Sequence, residues 1–222
     1  MSGLSKLQSK IGFLIYKLTF SPIAYWEHRA RQYGKQSVLN IGLNENEIKL
    51  VKGFQVKTIF PLLKKELSEN EQTLLDFGCG PGRLSVELAN FTHCQVTGVD
   101  PIEYLLQLAP ADENVSYKKI INNIIPAKNA AFDIIWISFV LGGIVNKKDR
   151  NQTIKELNRV IKKDGLLFLI ENTTSQKDTI SWKYWSKQKY LDMFKNYNLI
   201  HLQDFHHGGE LFSIFSGRYK GV

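Results

Sequence analysis

The chain has 222 residues, 43% of them hydrophobic, which is enough for one domain with a sizeable core or for a domain with an appended helical segment. Its formal charge of +8 favours an anionic partner, such as nucleic acid, an acidic membrane face or a phosphorylated substrate. The two cysteines, Cys79 and Cys94, exclude a disulfide framework and match no zinc-binding spacing, which indicates a reducing cytosol. No run approaches the ~18 apolar residues of a membrane span. The short apolar run over 11–16 has no cleavage site, so a cytoplasmic protein is predicted.

Apolar residues near the N-terminus recur at spacings of three and four, with lysines off the stripe, which predicts an amphipathic helix. The stripe consists of Leu4, Leu7, Ile11, Leu14 and Leu18. Such a helix packs on the domain or on a partner subunit, or it associates weakly with a membrane surface. Both alternatives stay open, and we expect a monomer or a homodimer.

A second helix is predicted over Pro22–Tyr33. It combines basic side chains with three aromatic ones, Tyr25, Trp26 and Tyr33. These aromatic residues either form a lid over a substrate or pack in the core.

A polar loop over 34–46 and a helix over 47–67 follow. Pro61 divides that helix or starts a second one. We therefore predict an N-terminal helical segment or lid over residues 1–67 and a core domain over residues 68–222.

The most informative stretch is an apolar strand, Thr73–Phe77, that runs into three closely spaced glycines, Gly78, Gly80 and Gly82. Helical composition follows, so the glycines lie where a strand passes into a helix, a place that binds polar ligands in α/β folds. The triplet differs from the dinucleotide fingerprint G-x-G-x-x-G because its third glycine arrives one residue early.

Two acidic residues strengthen the evidence that this turn binds a ligand. Asp76 closes the strand before it, and Asp100 closes the next strand. A carboxylate at the second position accepts both hydrogen bonds of a ribose cis-diol. The alternatives are that the glycines serve only backbone geometry and that Asp100 caps a helix.

The alternation of strands and helices predicts an α/β fold. Further strands are predicted over 95–100, 115–119, 132–137 and 166–170, and helices over 102–109, 150–163 and 182–197. The helix over 150–163 has a plausible cap at Asp149 and Gly165 after its end. Two last strands, over 199–205 and 211–219, form a hairpin. These elements predict a mostly parallel sheet with one antiparallel strand.

Four motifs resemble the class I S-adenosylmethionine-dependent methyltransferases, and the resemblance covers roughly residues 73–222. The motifs are LDFGCGPG at 75–82, GVDP at 98–101, Ile125-Pro126 followed by FDII at 132–135, and LNRVIKKDGLL at 157–167. The resemblance implies a seven-stranded sheet of order 3-2-1-4-5-7-6 with helices on both faces. It also implies S-adenosylmethionine as the cofactor.

The resemblance assigns cofactor roles to several residues. The three glycines would let the backbone approach the methionine part, Asp76 would hold its amino group and Asp100 the ribose. Pro101, Ile102 and Ser138 would flank the cofactor as well.

Adenine recognition is less direct. Many relatives have an acidic residue that contacts the adenine amine, but here that position is Ile121. Asn122 and Asn123 are the nearest polar substitutes, and both also fit an ordinary loop.

Methyl transfer from a sulfonium is an in-line displacement, so the protein mainly positions the acceptor and excludes water. A base assists when the acceptor is a hydroxyl. Our first hypothesis for that base is His206 or His207, because a histidine pKa lies near working pH. Both residues also fit a surface turn. Glu171, after the fifth strand, is the second choice.

Aromatic side chains crowd two regions and are candidates for the acceptor site. They are Tyr25, Trp26, Tyr33, Trp182, Tyr184 and Trp185. Packing in the core is the alternative for any one ring. The resemblance extends to methyltransferases of surface-glycan and natural-product pathways, so O-methylation of a sugar or natural-product hydroxyl is expected, with no metal.

Two other functions stay open. The charge supports a nucleic-acid methyltransferase, but no RNA-binding module is evident. The residues after the fourth strand also lack the Asn/Asp-Pro-Pro-aromatic signature of base methylation. N-methylation of a small amine is the other alternative. For O-methylation and N-methylation alike, the expected partner is a small-molecule acceptor and not nucleic acid.

Overall fold

The computed structural model describes residues 19–39, 45–207 and 209–221, and the predicted amphipathic helix over 4–18 lies outside them. Within those three ranges, no helix is both long enough and apolar enough to cross a membrane.

A single sheet of seven strands forms the centre of the fold. The strands are β1 (Thr73–Phe77), β2 (Gln95–Asp100), β3 (Val115–Lys119), β4 (Phe132–Ser138), β5 (Ile161–Asn172), β6 (Ile200–His207) and β7 (Glu210–Arg218). Their order is β3-β2-β1-β4-β5-β7-β6. The first five pair in parallel, and β7 is antiparallel to β5 and β6. The predicted fold class and strand order are confirmed.

Six α-helices surround the sheet in the described part of the chain. They are α1 (Pro22–Tyr33), α2 (Glu45–Glu66), α3 (Ser85–Thr92), α4 (Glu103–Gln107), α5 (Lys147–Val160) and α6 (Lys187–Met193). Short 3₁₀ turns cover Gly34–Val38 and Leu141–Gly143. Helix α1 begins as predicted, because Ser21 caps it and proline occupies its first turn.

The core has one layer on each face of the sheet because side chains alternate along each strand. In β4, Ile134 and Trp136 face the layer that α2 and α3 cover. Ile135 and Ile137 face the layer that α5 and α6 cover. The parallel strands are therefore buried on both sides, as their apolar sequences predicted.

Helix α2 is continuous through Pro61. Three of its residues, Ile59, Phe60 and Leu63, are at most 1% exposed and pack against the sheet. Part of the predicted segment 1–67 thus shares the core of the domain, and the boundary at residue 67 stays a prediction.

Helix α5 begins and ends three residues earlier than predicted. Asn146, not Asp149, is its cap and accepts a hydrogen bond from the Lys148 N–H at 2.8 Å. The helix ends at Val160 because Ile161 already pairs with the sheet in β5. Gly165, predicted to end the helix, lies inside β5.

The predicted helix over 182–197 is mostly wrong. Only Lys187–Met193 is helical, with Ser186 as its cap. Residues 182–185 stay irregular because Trp182 packs against the backbone of Gly142, and the Lys183 N–H donates to the Gly142 carbonyl at 2.8 Å.

Candidate active site

A cavity of about 280 Å³ opens at the carboxyl ends of the parallel strands. Residues that follow β1, β2, β3 and β4 line it, together with the start of α1 and one face of α5. This is where ligands bind in open parallel sheets. The glycine turn and both acidic strand ends meet here, and their role toward the cofactor stays a prediction.

The glycine turn folds back on β2. The backbone N–H groups of Gly78 and Cys79 both donate to the Val99 carbonyl, at 2.8 and 3.1 Å. Gly78 has a φ of +73°, and a Cβ there would overlap Val140. Gly78 and Gly80 line the cavity.

Gly82 does a different job from the other two glycines. It does not line the cavity. Its φ is +66°, and a Cβ would lie 2.8 Å from the ring of Tyr117. Gly98 in β2 faces the same ring, again at 2.8 Å. The early third glycine therefore makes room for an aromatic side chain of β3.

Asp100 ties the turn to the next helix. One carboxylate oxygen accepts from the Gly80 N–H at 3.0 Å, and the other accepts from the Ile102 N–H at 2.8 Å. Burial raises the pKa of Asp100 to about 6. Each oxygen keeps a second lone pair, so the side chain can still accept hydrogen bonds from a ligand diol in the cavity.

Asp76 accepts a hydrogen bond from the Ser85 hydroxyl at 2.6 Å, and burial raises its pKa to about 6. Arg83 lies close enough to oppose that shift, and its guanidinium donates to the side chain of Gln55 in α2. Arg83 is the cation of the described cavity lining. Arg83 was not predicted as a site residue, although its position directly after the third glycine was a visible signal.

Two buried polar atoms in β4 have no hydrogen-bond partner among the residues that the structure describes. They are the indole Nε1 of Trp136 and the hydroxyl of Ser138, and both residues line the cavity. Trp136 stands opposite Asp76 in the strand register. A buried donor without a partner is costly, so these atoms indicate a polar ligand. Together with Asp76 and Arg83 they suit the ammonium and carboxylate groups of an amino-acid ligand, such as the methionine part of S-adenosylmethionine.

Asn122 and Asn123 form the tight turn of a small hairpin after β3. Both have positive φ, 52° and 58°, and the Ile124 N–H donates to the Ile121 carbonyl at 2.9 Å. Asparagine tolerates these angles better than most residues. Asn122 is exposed, whereas Asn123 lines the cavity and donates to Asp149 at 2.9 Å. Only the second asparagine is thus brought to the site.

Much of the cavity lining is apolar or aromatic. We call one part of it the aromatic wall, which consists of Ile23, Trp26, Phe139, Val140, Gly143, Ile144, Val145 and Trp182. A Cβ built on Gly143 would lie 3.4 Å from the Trp182 ring and 3.5 Å from the Trp26 indole nitrogen. The two indoles therefore meet at this glycine.

The other predicted acceptor residues lie away from the cavity lining. Tyr25 packs edge-on against Trp26, and Tyr33 lies beneath Arg29. Trp185 stacks beneath the guanidinium of Arg150, 4.4 Å from its ring centroid. Tyr184 donates its backbone N–H to Asp178 at 3.0 Å.

Two of the three predicted bases, His206 and Glu171, lie outside the cavity lining that the structure describes. His206 is exposed near the end of β6, and the side chain of His207 lies outside the described part of the chain. Glu171 is fully buried, and one of its oxygens accepts from the N–H groups of Val140 and Leu141 at 2.9 and 2.8 Å. It thus holds the backbone of the aromatic wall.

Comparison with known proteins identifies the domain. A family model described as a methyltransferase domain matches residues 75–169, from β1 to β5. Residues 75–169 of this chain therefore carry a methyltransferase domain, and solved S-adenosylmethionine-dependent methyltransferases share its fold. S-adenosylmethionine is the cofactor of those enzymes, and the unpartnered donors beside Asp76 fit its methionine part.

Two curated relatives and one solved structure illustrate the range. The demethylmenaquinone methyltransferase of Chlorobaculum parvum is 28% identical over 134 residues, 60% of this chain and 52% of that protein. The tRNA U34 carboxymethyltransferase of Campylobacter jejuni is 29% identical over 116 residues, 50% of this chain and 39% of that protein. A SAM-dependent methyltransferase from Methanosarcina mazei superimposes with a TM-score of 0.60 at 17% identity. The match covers 73% of this chain and 98% of that protein, which shows that the fold is shared.

The methyltransferase chain described here spans about half the length of the curated relatives it matches, or less. Those relatives act on different classes of acceptor by name, a quinone and a tRNA.

Proposed function

We propose that this protein transfers the methyl group of S-adenosylmethionine to a small molecule with a flat, apolar ring, such as a phenol or a quinol. The observation that carries the proposal is the aromatic wall, in which Trp26 and Trp182 meet at Gly143. Two indole rings suit a planar acceptor, and apolar walls give affinity through burial. The wall offers few partners to the hydroxyls of a sugar, so we favour a natural-product ring over the sugar expected from the sequence.

At the cofactor end of the cavity we assign three roles. Asp100 accepts the ribose hydroxyls and Asp76 the ammonium group, because both carboxylates are buried and line the cavity. Arg83, with the indole N–H of Trp136, receives the carboxylate, since these groups are a cation and an unpartnered donor in the lining. In this arrangement the ammonium group and the carboxylate group of the amino-acid moiety each face a protein group of opposite charge.

When bound, the cofactor supplies a methyl group that its sulfonium already activates. The protein's residues then hold the acceptor in line and exclude water. In the described cavity lining there is no histidine, lysine or tyrosine to act as a base. Of its four carboxylates, we assign Asp76 and Asp100 to the cofactor, while Glu156 pairs with Arg159 and Asp149 accepts from Asn123. We therefore propose that the acceptor's own ionisable hydroxyl makes the nucleophile, at the oxygen or at a neighbouring ring carbon. A phenol, with a pKa of about 10, loses its proton far more readily than an alcohol.

The experiment is an acceptor panel with radiolabelled S-adenosylmethionine, comparing a reduced naphthoquinol, a catechol, a methyl glycoside and bulk tRNA. We expect methylation of the ring compounds. Trp182→Leu should lower kcat/KM for the acceptor about tenfold by removing apolar contact, with the Kd of S-adenosylhomocysteine unchanged. Trp185→Leu is the matched control outside the cavity. Methylation of the glycoside with no turnover of the ring compounds would overturn the proposal.

RNA is the second candidate acceptor, and a separate groove favours it. Helices α5 and α6 border a groove of about 590 Å³ that carries the exposed lysines Lys147, Lys155 and Lys189. One relative is named for an activity on tRNA, and a polyanion such as tRNA would be attracted to these lysines. Affinity for tRNA that falls steeply with salt, and that is lost on reversing the three lysine charges, would support this candidate. Equal binding by that variant and by a Lys64→Glu/Lys65→Glu control would remove it.

A further inference from the structure

Asn123 and Asp149 form a side-chain pair at the rim of the cofactor end. The amide nitrogen of Asn123 donates to one carboxylate oxygen of Asp149 at 2.9 Å. Both residues line the cavity together with Asp100 and Ile102. The pair joins the turn after β3 to the first turn of α5, two elements that are 26 residues apart in the chain.

Helix α5 turns a polar face toward this end of the cavity. Its cavity-lining residues, Asn146, Asp149, Thr153 and Glu156, recur at spacings of three and four, which is one face of a helix. Glu156 is already engaged, because it accepts from the Ile125 N–H at 2.9 Å and pairs with Arg159. Asp149 has an oxygen to which no residue of the described chain donates, and Thr153 is only 5% exposed. The carboxylate of Asp149 is therefore the open acceptor of this face.

Adenine presents an amino donor beside a ring-nitrogen acceptor on each of its polar edges. The Asn123 and Asp149 pair offers the complement, because an ionised carboxylate can only accept and the amide has a second N–H to donate. Isoleucines supply the apolar surroundings, since Ile102, Ile120 and Ile125 line the same end of the cavity. Ile121, the position of an acidic residue in many relatives, is 61% exposed and contributes no polar group.

We infer that Asp149, held by Asn123, reads the adenine amino group of the cofactor and so makes this protein select adenosine over inosine. The inference rests on the proposed function, because it requires that the cavity bind S-adenosylmethionine. The adenine ring would then be recognised by the first turn of α5 and not by the loop that follows β3. Hypoxanthine carries a carbonyl oxygen where adenine has its amine, and that oxygen would face the carboxylate with no proton between them.

The test measures the Kd of S-adenosylhomocysteine and of S-inosylhomocysteine by calorimetry. We expect the wild-type protein to prefer the adenosine compound by roughly tenfold to a hundredfold, the range of one charge-assisted hydrogen bond. Asp149→Asn exchanges an acceptor for an amide that can also donate, so the preference should vanish or reverse. Because the readout is a ratio of two ligands, a general loss of stability does not mimic it.

A matched pair of turn variants supplies the control. Asn123→Gly removes the amide that holds Asp149, and Asn122→Gly removes its exposed neighbour, while glycine accepts the positive φ at both sites. We expect the first to reduce the adenosine preference and the second to leave it unchanged. Binding of both ligands with a ratio that Asp149→Asn and Asn123→Gly leave unaltered would overturn the inference alone. Failure of the wild-type protein to bind either ligand would overturn the proposed function as well.

Discussion

Glu171, at the end of β5, accepts a hydrogen bond from the backbone N–H of Leu141 at 2.8 Å across 30 residues of sequence. The same oxygen accepts from Val140, and the Tyr190 hydroxyl donates to the other oxygen at 3.3 Å. A carboxylate with these partners fixes the loop that follows β4. We therefore assign Glu171 a positioning role.

A positioning role predicts different kinetics for two substitutions of Glu171. In Glu171→Gln, the amide oxygen can still accept from the loop and the amide nitrogen can face Tyr190, so we expect kcat within about threefold of wild type. Glu171→Leu leaves two buried N–H groups unpaired, and we expect KM for the acceptor to rise strongly. Steady-state kinetics with both variants decides the matter. A loss of about a hundredfold or more in kcat for Glu171→Gln, the usual cost of removing a base, would identify Glu171 as the base predicted from the sequence.

His206 lies on the exposed side of β6, away from the cavity lining. Our first sequence hypothesis made it or His207 the base, and that hypothesis stays a prediction. From its exposure we expect His206→Ala to keep wild-type turnover and cofactor affinity. A large drop in kcat with unchanged Kd for S-adenosylhomocysteine would instead support the hypothesis that His206 is the catalytic base.

Cofactor affinity should depend on pH through Asp76 and Asp100. Burial raises the pKa of each to about 6, and both must be ionised to accept the cofactor's donors. We expect the Kd of S-adenosylmethionine to increase as the pH falls below about 6 and to be constant above about 7. Calorimetry between pH 5 and 8 measures this. Asp100→Asn should bind more weakly at pH 8 and lose part of the pH dependence.

Stability without ligand should change with pH in the opposite sense. Asp76, Asp100 and Glu171, the last with a pKa raised to about 7 by burial, hold protons in the folded state that the unfolded chain has already released. The free energy of unfolding therefore falls as the pH rises from about 4 to 7. Urea unfolding across that range checks the sign, and Glu171→Gln should flatten the upper part of the curve. A free energy of unfolding that increased through this window would contradict the burial of these carboxyls.

Gly82→Ala should destabilise the fold more than the same change at Gly209. Both glycines have positive φ, 66° and 78°, so both substitutions carry a backbone cost of about 1 kcal/mol or more. Only at Gly82 does the new Cβ meet Tyr117; at Gly209 no described residue lies within 4 Å of it. We expect an additional loss of roughly 1–3 kcal/mol at Gly82 from overpacking. Urea unfolding compares the two variants, and equal losses would show that Tyr117 yields freely.

The sequence predicted the sheet well because its strands are short apolar runs bounded by turns. The match is exact for β2, and β4 is one residue longer than predicted. The helix over 182–197 failed because its composition is helical but the backbone contact of Trp182 with Gly142 overrides local preference.

The site divides in the same way. Residues in contiguous motifs, such as Gly78, Gly80 and Asp100, could be placed from the sequence alone. Asp149 could not, because it reaches the cavity from a helix whose start was assigned three residues too late. Its spacing from Thr153 and Glu156 was the available signal. The unpartnered indole of Trp136 had no sequence signal at all, since a tryptophan in an apolar strand looks like core.

A small apolar cluster at the start of α4 links α1 to the residues that follow β2. Ala30 of α1 is buried against Ile102 and Leu105, and Trp26 packs on the same cluster. Ile102, two residues after Asp100, and the Trp26 indole of the aromatic wall thus belong to one cluster. Cofactor that settles against Ile102 would complete the surface on which the acceptor lands. The chemistry should accordingly be sequential and ordered, with S-adenosylmethionine entering first and S-adenosylhomocysteine leaving last, so that this product competes with the methyl donor alone.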